Sequence, residues 1–97
     1  MLSWTNLGSS NTTSGKTLTF TPSKYKEYLL IASNNGSRVL ASSQIPYSLI
    51  AIGSTASAGY HQARNYDNKY AAGVSFTTTG TVLYVTNTSS YGILLGR

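Results

Sequence analysis

The chain has 97 residues and no cysteine, so a single small hydrophobic core must hold it, with neither a disulfide framework nor a cysteine-based zinc site to help. Two acids, Glu27 and Asp67, stand against seven Lys and Arg, giving a net charge of +5. That shortage excludes most catalysis: a glycosidase needs both carboxylates in one cleft, and one histidine with two acids falls short of a zinc or calcium shell.

The rest of the composition is Ser, Thr, Asn and Gly with eight tyrosines, Trp4, Phe20 and Phe76. Thr, Tyr, Val and Ile suit a pleated, half-buried surface, while strong helix formers are scarce. A disordered chain would carry more charge and fewer aromatics. The expected class is all-β, in one domain spanning 1–97 with no linker or repeat. Turns at short, regular intervals point to a sandwich or barrel.

In chain order, residues 11–15 (NTTSG) form the first clear turn, and 16–20 alternate, with Leu18 and Phe20 on one side. Asn35-Gly36 is a type I′ hairpin signal, because both residues tolerate positive φ. It should join a strand near 26–33 to one near 37–43. Residues 70–76 alternate with Tyr70, Ala72, Val74 and Phe76 inward against Ala71, Gly73 and Ser75 outward. The runs 28–32, 82–85 and 93–95 are apolar on both faces. In so small an antiparallel fold one sheet face normally meets water, so these runs predict burial of an outer face by neighbouring subunits.

The basic residues Lys16, Lys24, Lys26, Arg38, Arg64, Lys69 and Arg97 are scattered, unlike the single basic face of a nucleic-acid binder. Apolar stretches of about five residues are far short of the ~20 that span a bilayer, so no membrane insertion is expected. MLSWTNLG lacks the blocks of a signal peptide. No G-x-S-x-G elbow supports His61, Asp67 and a serine as a triad, and no phosphate-cradling glycine loop occurs. No enzyme activity, cofactor or metal is expected.

The segment 59–70 is the candidate ligand site. Aromatic rings stack on sugar faces while polar side chains supply directional hydrogen bonds. The candidate contacts are His61, Gln62, Arg64, Asn65, Tyr66, Asp67, Asn68 and Lys69, with Arg64 and Lys69 suited to a phosphate-bearing polymer. The same residues also suit single-stranded nucleic acid, while Asn65 to Asn68 also read as an ordinary polar turn between two strands, with Tyr60 and Tyr70 as core residues.

Trp4 and Leu7-Gly8, then the run from Gly15 to Phe20, Pro22-Ser23, the strand Glu27-Tyr28-Leu29-Leu30, Ile45-Pro46, Gly59-Tyr60 and the closing Arg97 resemble a C-terminal domain of bacteriophage and prophage tail-fibre or baseplate appendage proteins. His61 departs from that pattern, which has a second aromatic there. The resemblance covers nearly the whole chain. It implies an antiparallel β-sandwich, jelly-roll-like, of about eight short strands, commonly a homotrimer, forming the end of a longer host-recognition protein in the virion tail, extracellular after lysis. It also implies scaffold roles for Trp4, Gly59 and Tyr60.

The function expected is noncovalent recognition of a bacterial surface polysaccharide or wall polymer by a homo-oligomer, each weak site strengthened by multivalency. The alternatives are a purely structural trimerisation or capping domain and a small nucleic-acid-binding β-barrel.

Overall fold

The computed structural model describes residues 3–34, 38–52, 60–77 and 80–97, the side chains of Ala51, Ile52 and Thr77 excepted. The elements are β1 (Thr5–Ser10), β2 (Lys16–Leu18), a 3-10 turn (Pro22–Lys24), β3 (Glu27–Ser33), β4 (Val39–Pro46), a short helix α1 (Tyr47–Ile52), β5 (Tyr60–Arg64), β6 (Ala71–Thr77), β7 (Gly80–Val85) and β8 (Tyr91–Gly96). They form two four-stranded sheets, ordered β1-β8-β3-β4 and β2-β7-β6-β5, with every pairing antiparallel. The expected all-β class holds, and the two sheets make a small β-sandwich. β1 pairs with β8 and β2 with β7, so the two ends of the chain wrap together, while β3–β4 and β5–β6–β7 follow in sequence. The Asn35-Gly36 turn and Gly59 lie outside the described residues, although the two strands predicted to flank that turn do pair.

The core is built from alternate residues of each strand, as period-2 patterning requires. Tyr28, Leu30 and Ala32 of β3, Leu94 of β8, Ala72, Val74 and Phe76 of β6, and Leu83 and Val85 of β7 are buried between the sheets. The filling is graded along the strands. At one end small residues let the sheets approach, where a Cβ on Gly92 would meet the Ala72 Cβ at 3.1 Å. At the other, Tyr28 and Phe76 face each other at 5.1 Å between ring centroids, and Phe20 and Tyr25 both lie 5.8 Å from Tyr28.

Tyr28 is fully buried. Its hydroxyl donates to the Pro22 carbonyl at 2.5 Å, which satisfies the phenol without water. Burial drives its pKa well above the usual tyrosine range, with Tyr25 and Tyr47 adding smaller repulsions.

Register fixes what faces outward. On the first sheet, Leu29 and Ile31 of β3 sit beside Leu95 and Ile93 of β8, on the face opposite the core. Ile31 is buried yet stands apart from the inter-sheet core cluster. Two of the three runs predicted to be apolar on both faces are therefore neighbouring central strands. At the strand ends Arg97 ties this face together: its guanidinium lies 4.2 Å from the centre of the Trp4 ring and its Nε donates to Glu27 at 3.1 Å.

Two details depart from the sequence reading. Ala71, expected outward, is buried; its N–H is held by Ser90 Oγ at 3.1 Å, which draws the turn after β7 across it. The helix α1 was not anticipated. Its six residues begin directly after Pro46 and contribute Ile50 to the core.

Replacing Leu30 by Ala should lower the unfolding free energy by about 3 kcal/mol through loss of buried methylenes and an unfilled cavity. Tyr28→Phe, which deletes only the hydroxyl, should cost about 1 kcal/mol. Urea titration followed by circular dichroism measures both, and equal losses for the two would contradict this account of the core.

Candidate functional site

The second sheet's outer face carries the candidate site, and a glycine shapes it. On β6, Gly73 is paired with Gln62 of β5 on one side and Tyr84 of β7 on the other. A Cβ at Gly73 would fall inside the space that the Tyr84 ring and hydroxyl occupy. The missing side chain therefore lets Tyr84 lie across the neighbouring strand instead of standing off the sheet.

Across that gap the Tyr84 hydroxyl accepts a long hydrogen bond from Gln62 Nε2, 3.4 Å. Tyr60 lies alongside, with ring centroids 5.6 Å apart and planes tilted by 37°, and stays 49% exposed. The other end of the Gln62 amide is also engaged: Oε1 accepts from Arg64 Nε at 2.7 Å and from Arg64 Nη2. One glutamine thus holds a ring on one side and a guanidinium on the other. Burial pushes the Tyr84 phenol up to about 12, with Gln62's donated hydrogen bond opposing the shift.

The eight residues predicted from sequence separate into three groups. Gln62 and Arg64 join Tyr60 and Tyr84 on the outer face. His61 turns the other way, as its position between them on a strand requires: it pairs with buried Val74, its ring meets Phe76 edge-on at 6.3 Å, and its Nε2 is buried without a partner among the described residues. It is half-buried on the inward side of β5, away from Gln62 and Arg64.

The remaining five form the turn between β5 and β6. Asn65 Oδ1 accepts from the Tyr70 N–H at 3.0 Å and Asp67 Oδ1 from the Lys69 N–H at 3.1 Å, so both side chains are committed to shaping the turn. Asn68 takes φ 59°, a left-handed conformation asparagine tolerates. Tyr66 is 98% exposed, and Lys69 Nζ lies 5.8 Å from the Tyr70 ring centre. For Asn65, Asp67 and Asn68 the polar-turn reading describes what the side chains and backbone do.

Tyr84 was not among the predicted residues, and Tyr60 was assigned to the scaffold. The signal that could have found them is Gly73, a glycine inside a strand pattern, which marks close approach by another group. A second polar place, an open cleft of about 460 Å³, lies between the end of β1, the following loop and Tyr91. Its hydroxyls bond one another, Tyr91 to Ser9 at 2.8 Å and Ser10 with Thr12 at 3.3 Å, and it offers no exposed ring pair.

The arrangement is suited to stacking and hydrogen bonding. Among the described residues no three His, Cys, Asp or Glu side chains gather to hold a metal, and no helix is long and apolar enough to cross a membrane. Compared with known proteins, the chain matches no family model, no curated protein and no solved structure.

The raised Tyr84 pKa gives a test of the flat ring. Because the folded state holds the phenol protonated beyond its ordinary value of 10, this residue's contribution favours the fold below about pH 10 and is lost as pH rises toward 12. A difference titration at 295 nm, wild type minus Tyr84→Phe, should show one phenol ionising near pH 12. Ionisation near 10 would mean the ring stands free in solvent.

Proposed function

We propose that this chain is a noncovalent carbohydrate-recognition module working as a homo-oligomer, in the setting its sequence resemblance implies: a bacteriophage or prophage tail appendage that meets a bacterial surface glycan. The observation that carries the reading is the pair of exposed Tyr60 and half-buried Tyr84 on a sheet face, flanked by Gln62 and Arg64. A sugar ring offers an apolar face and a rim of hydroxyls. A flat tyrosine meets the first by burial and dispersion, and the glutamine and arginine meet the second through directional donors.

Such a site is shallow and its single affinity low, so repetition in an assembly gives it strength through effective concentration. The outer face of the first sheet suits assembly, with Leu29, Ile31, Ile93 and Leu95 adjacent across β3 and β8. The same face favours the second reading, in which the domain only trimerises or caps a fibre and another part of the protein binds the host.

Adsorption of purified protein to host cells separates the two. In the binding reading, Tyr84→Ala and Gly73→Ala, the latter displacing the ring while keeping Tyr84, each weaken adsorption by about tenfold, equivalent to ~1.4 kcal/mol, with the fold intact by circular dichroism. Full adsorption by both folded variants would leave the structural role. Assembly has its own measurement: sedimentation of wild type should give a trimer at micromolar concentration, and Leu95→Glu, which sets a charge in the apolar face, should give a monomer. A wild-type monomer would remove the oligomer from the proposal.

A further inference from the structure

We infer that the ligand of the Tyr60 and Tyr84 face is an acidic polysaccharide, whose anionic group, a carboxylate or a phosphate, sits on Arg64 beside the sugar ring stacked on the tyrosines. This deepens the carbohydrate-recognition proposal and rests on it.

The four strands of the second sheet read KTL, YHQAR, AAGVSFT and GTVLYV, with no Asp or Glu on either face. The two acids of the chain lie off these strands. Glu27, on the first sheet, takes Arg97 Nε on Oε2 at 3.1 Å and Gln44 Nε2 on Oε1 at 2.9 Å. Asp67 holds the Lys69 N–H within its turn.

Arg64 is therefore a guanidinium whose partner at the face, Gln62 Oε1, is a neutral amide. That contact orients the planar group without compensating its charge. Of the five donors a guanidinium carries, those on the side away from Gln62 remain for an oxyanion, which it receives in a bidentate fork. A neutral glycan would use the rings and the directional donors and would leave that charge uncompensated.

A second exposed cation, Lys69, lies in the turn that follows Arg64, together with Asp67. Cations of one sign around an apolar platform raise the local concentration of a polyanion and speed its arrival. A polymer with alternating rings and acid groups can satisfy platform and guanidinium together.

The test uses the full chain on an array of bacterial surface oligosaccharides that are neutral, uronate-bearing or phosphate-bearing. The best acidic ligand is then compared with its own neutralised form, a methyl-esterified uronate or a dephosphorylated sugar. The acidic form should bind about tenfold more tightly or better. Arg64→Gln should abolish that difference, while Lys26→Gln, which removes the same charge away from this face, should preserve it.

Whether uronate or phosphate gives the larger difference identifies the anion. Equal affinity for charged and neutral forms, or equal losses in Arg64→Gln and Lys26→Gln, would overturn the inference. In either case stacking would still be intact if Tyr84→Ala weakened charged and neutral ligands alike. Absence of any glycan binding would overturn the carbohydrate reading itself, and this inference with it.

Discussion

A tyrosine hydroxyl in the dry layer between two sheets must find a partner inside the protein, and the bond from Tyr28 to the Pro22 carbonyl meets that need. The constraint fixes more than one group. To bring Pro22 there, the chain leaving β2 has to fold back over the end of the sandwich, which it does through the 3-10 turn at Pro22–Lys24. That path delivers Phe20 and Tyr25 against the Tyr28 ring, while Phe76 reaches it from the opposite sheet. Aromatic rings fill one end of the core around Tyr28, and Gly92 lies against Ala72, Val85 and Leu83 at the other.

Much of this architecture follows from the alternation of residue types. Strands β2, β3, β6, β7 and β8 lie where the apolar patterns of 16–20, 26–33, 70–76, 82–85 and 93–95 put them. The run at 70–76 separates Ala72, Val74 and Phe76 from Gly73 and Ser75 as period 2 requires. What alternation cannot supply is the cover brought by a neighbouring turn: Ser90, in the turn after β7, bonds the Ala71 N–H, and Ala71 is buried. The helix α1 is likewise silent in the pattern: its sequence YSLIAI is as apolar and as rich in β-branched residues as a strand, and the tertiary setting decides its state.

The site was legible in part for the same reason. Gln62 and Arg64 fall on one face of β5 and His61 and Ala63 on the other, a division written in residue parity once the strand is recognised; reading 59–70 as a single candidate segment hides it. Asn65 and Asp67 carry the signature of turn formers and of ligand contacts equally, because both roles use a short acceptor. Tyr84 lies 24 positions after Tyr60, and only the pairing of β5, β6 and β7 places them side by side. The chain contains the information as a mid-strand glycine, but its meaning depends on which tyrosine stands across from it.

The stacking of Arg97 on Trp4 has a geometric corollary. It brings the first described strand and the last residue to the same pole of the sandwich, with Thr5 paired to Gly96. The strand β5 runs away from that pole, since Arg64 pairs with Ala71 at the end where Ala72 meets Gly92. Any polypeptide joined to this module on either side would enter and leave by one doorway, and the turn carrying Tyr66 and Lys69 would project from the opposite wall. The module is thus polar in the mechanical sense: it can be tethered at one end without obstructing the other, and grafting it into a loop of another protein would ask that host for a gap only about as wide as one pair of strands.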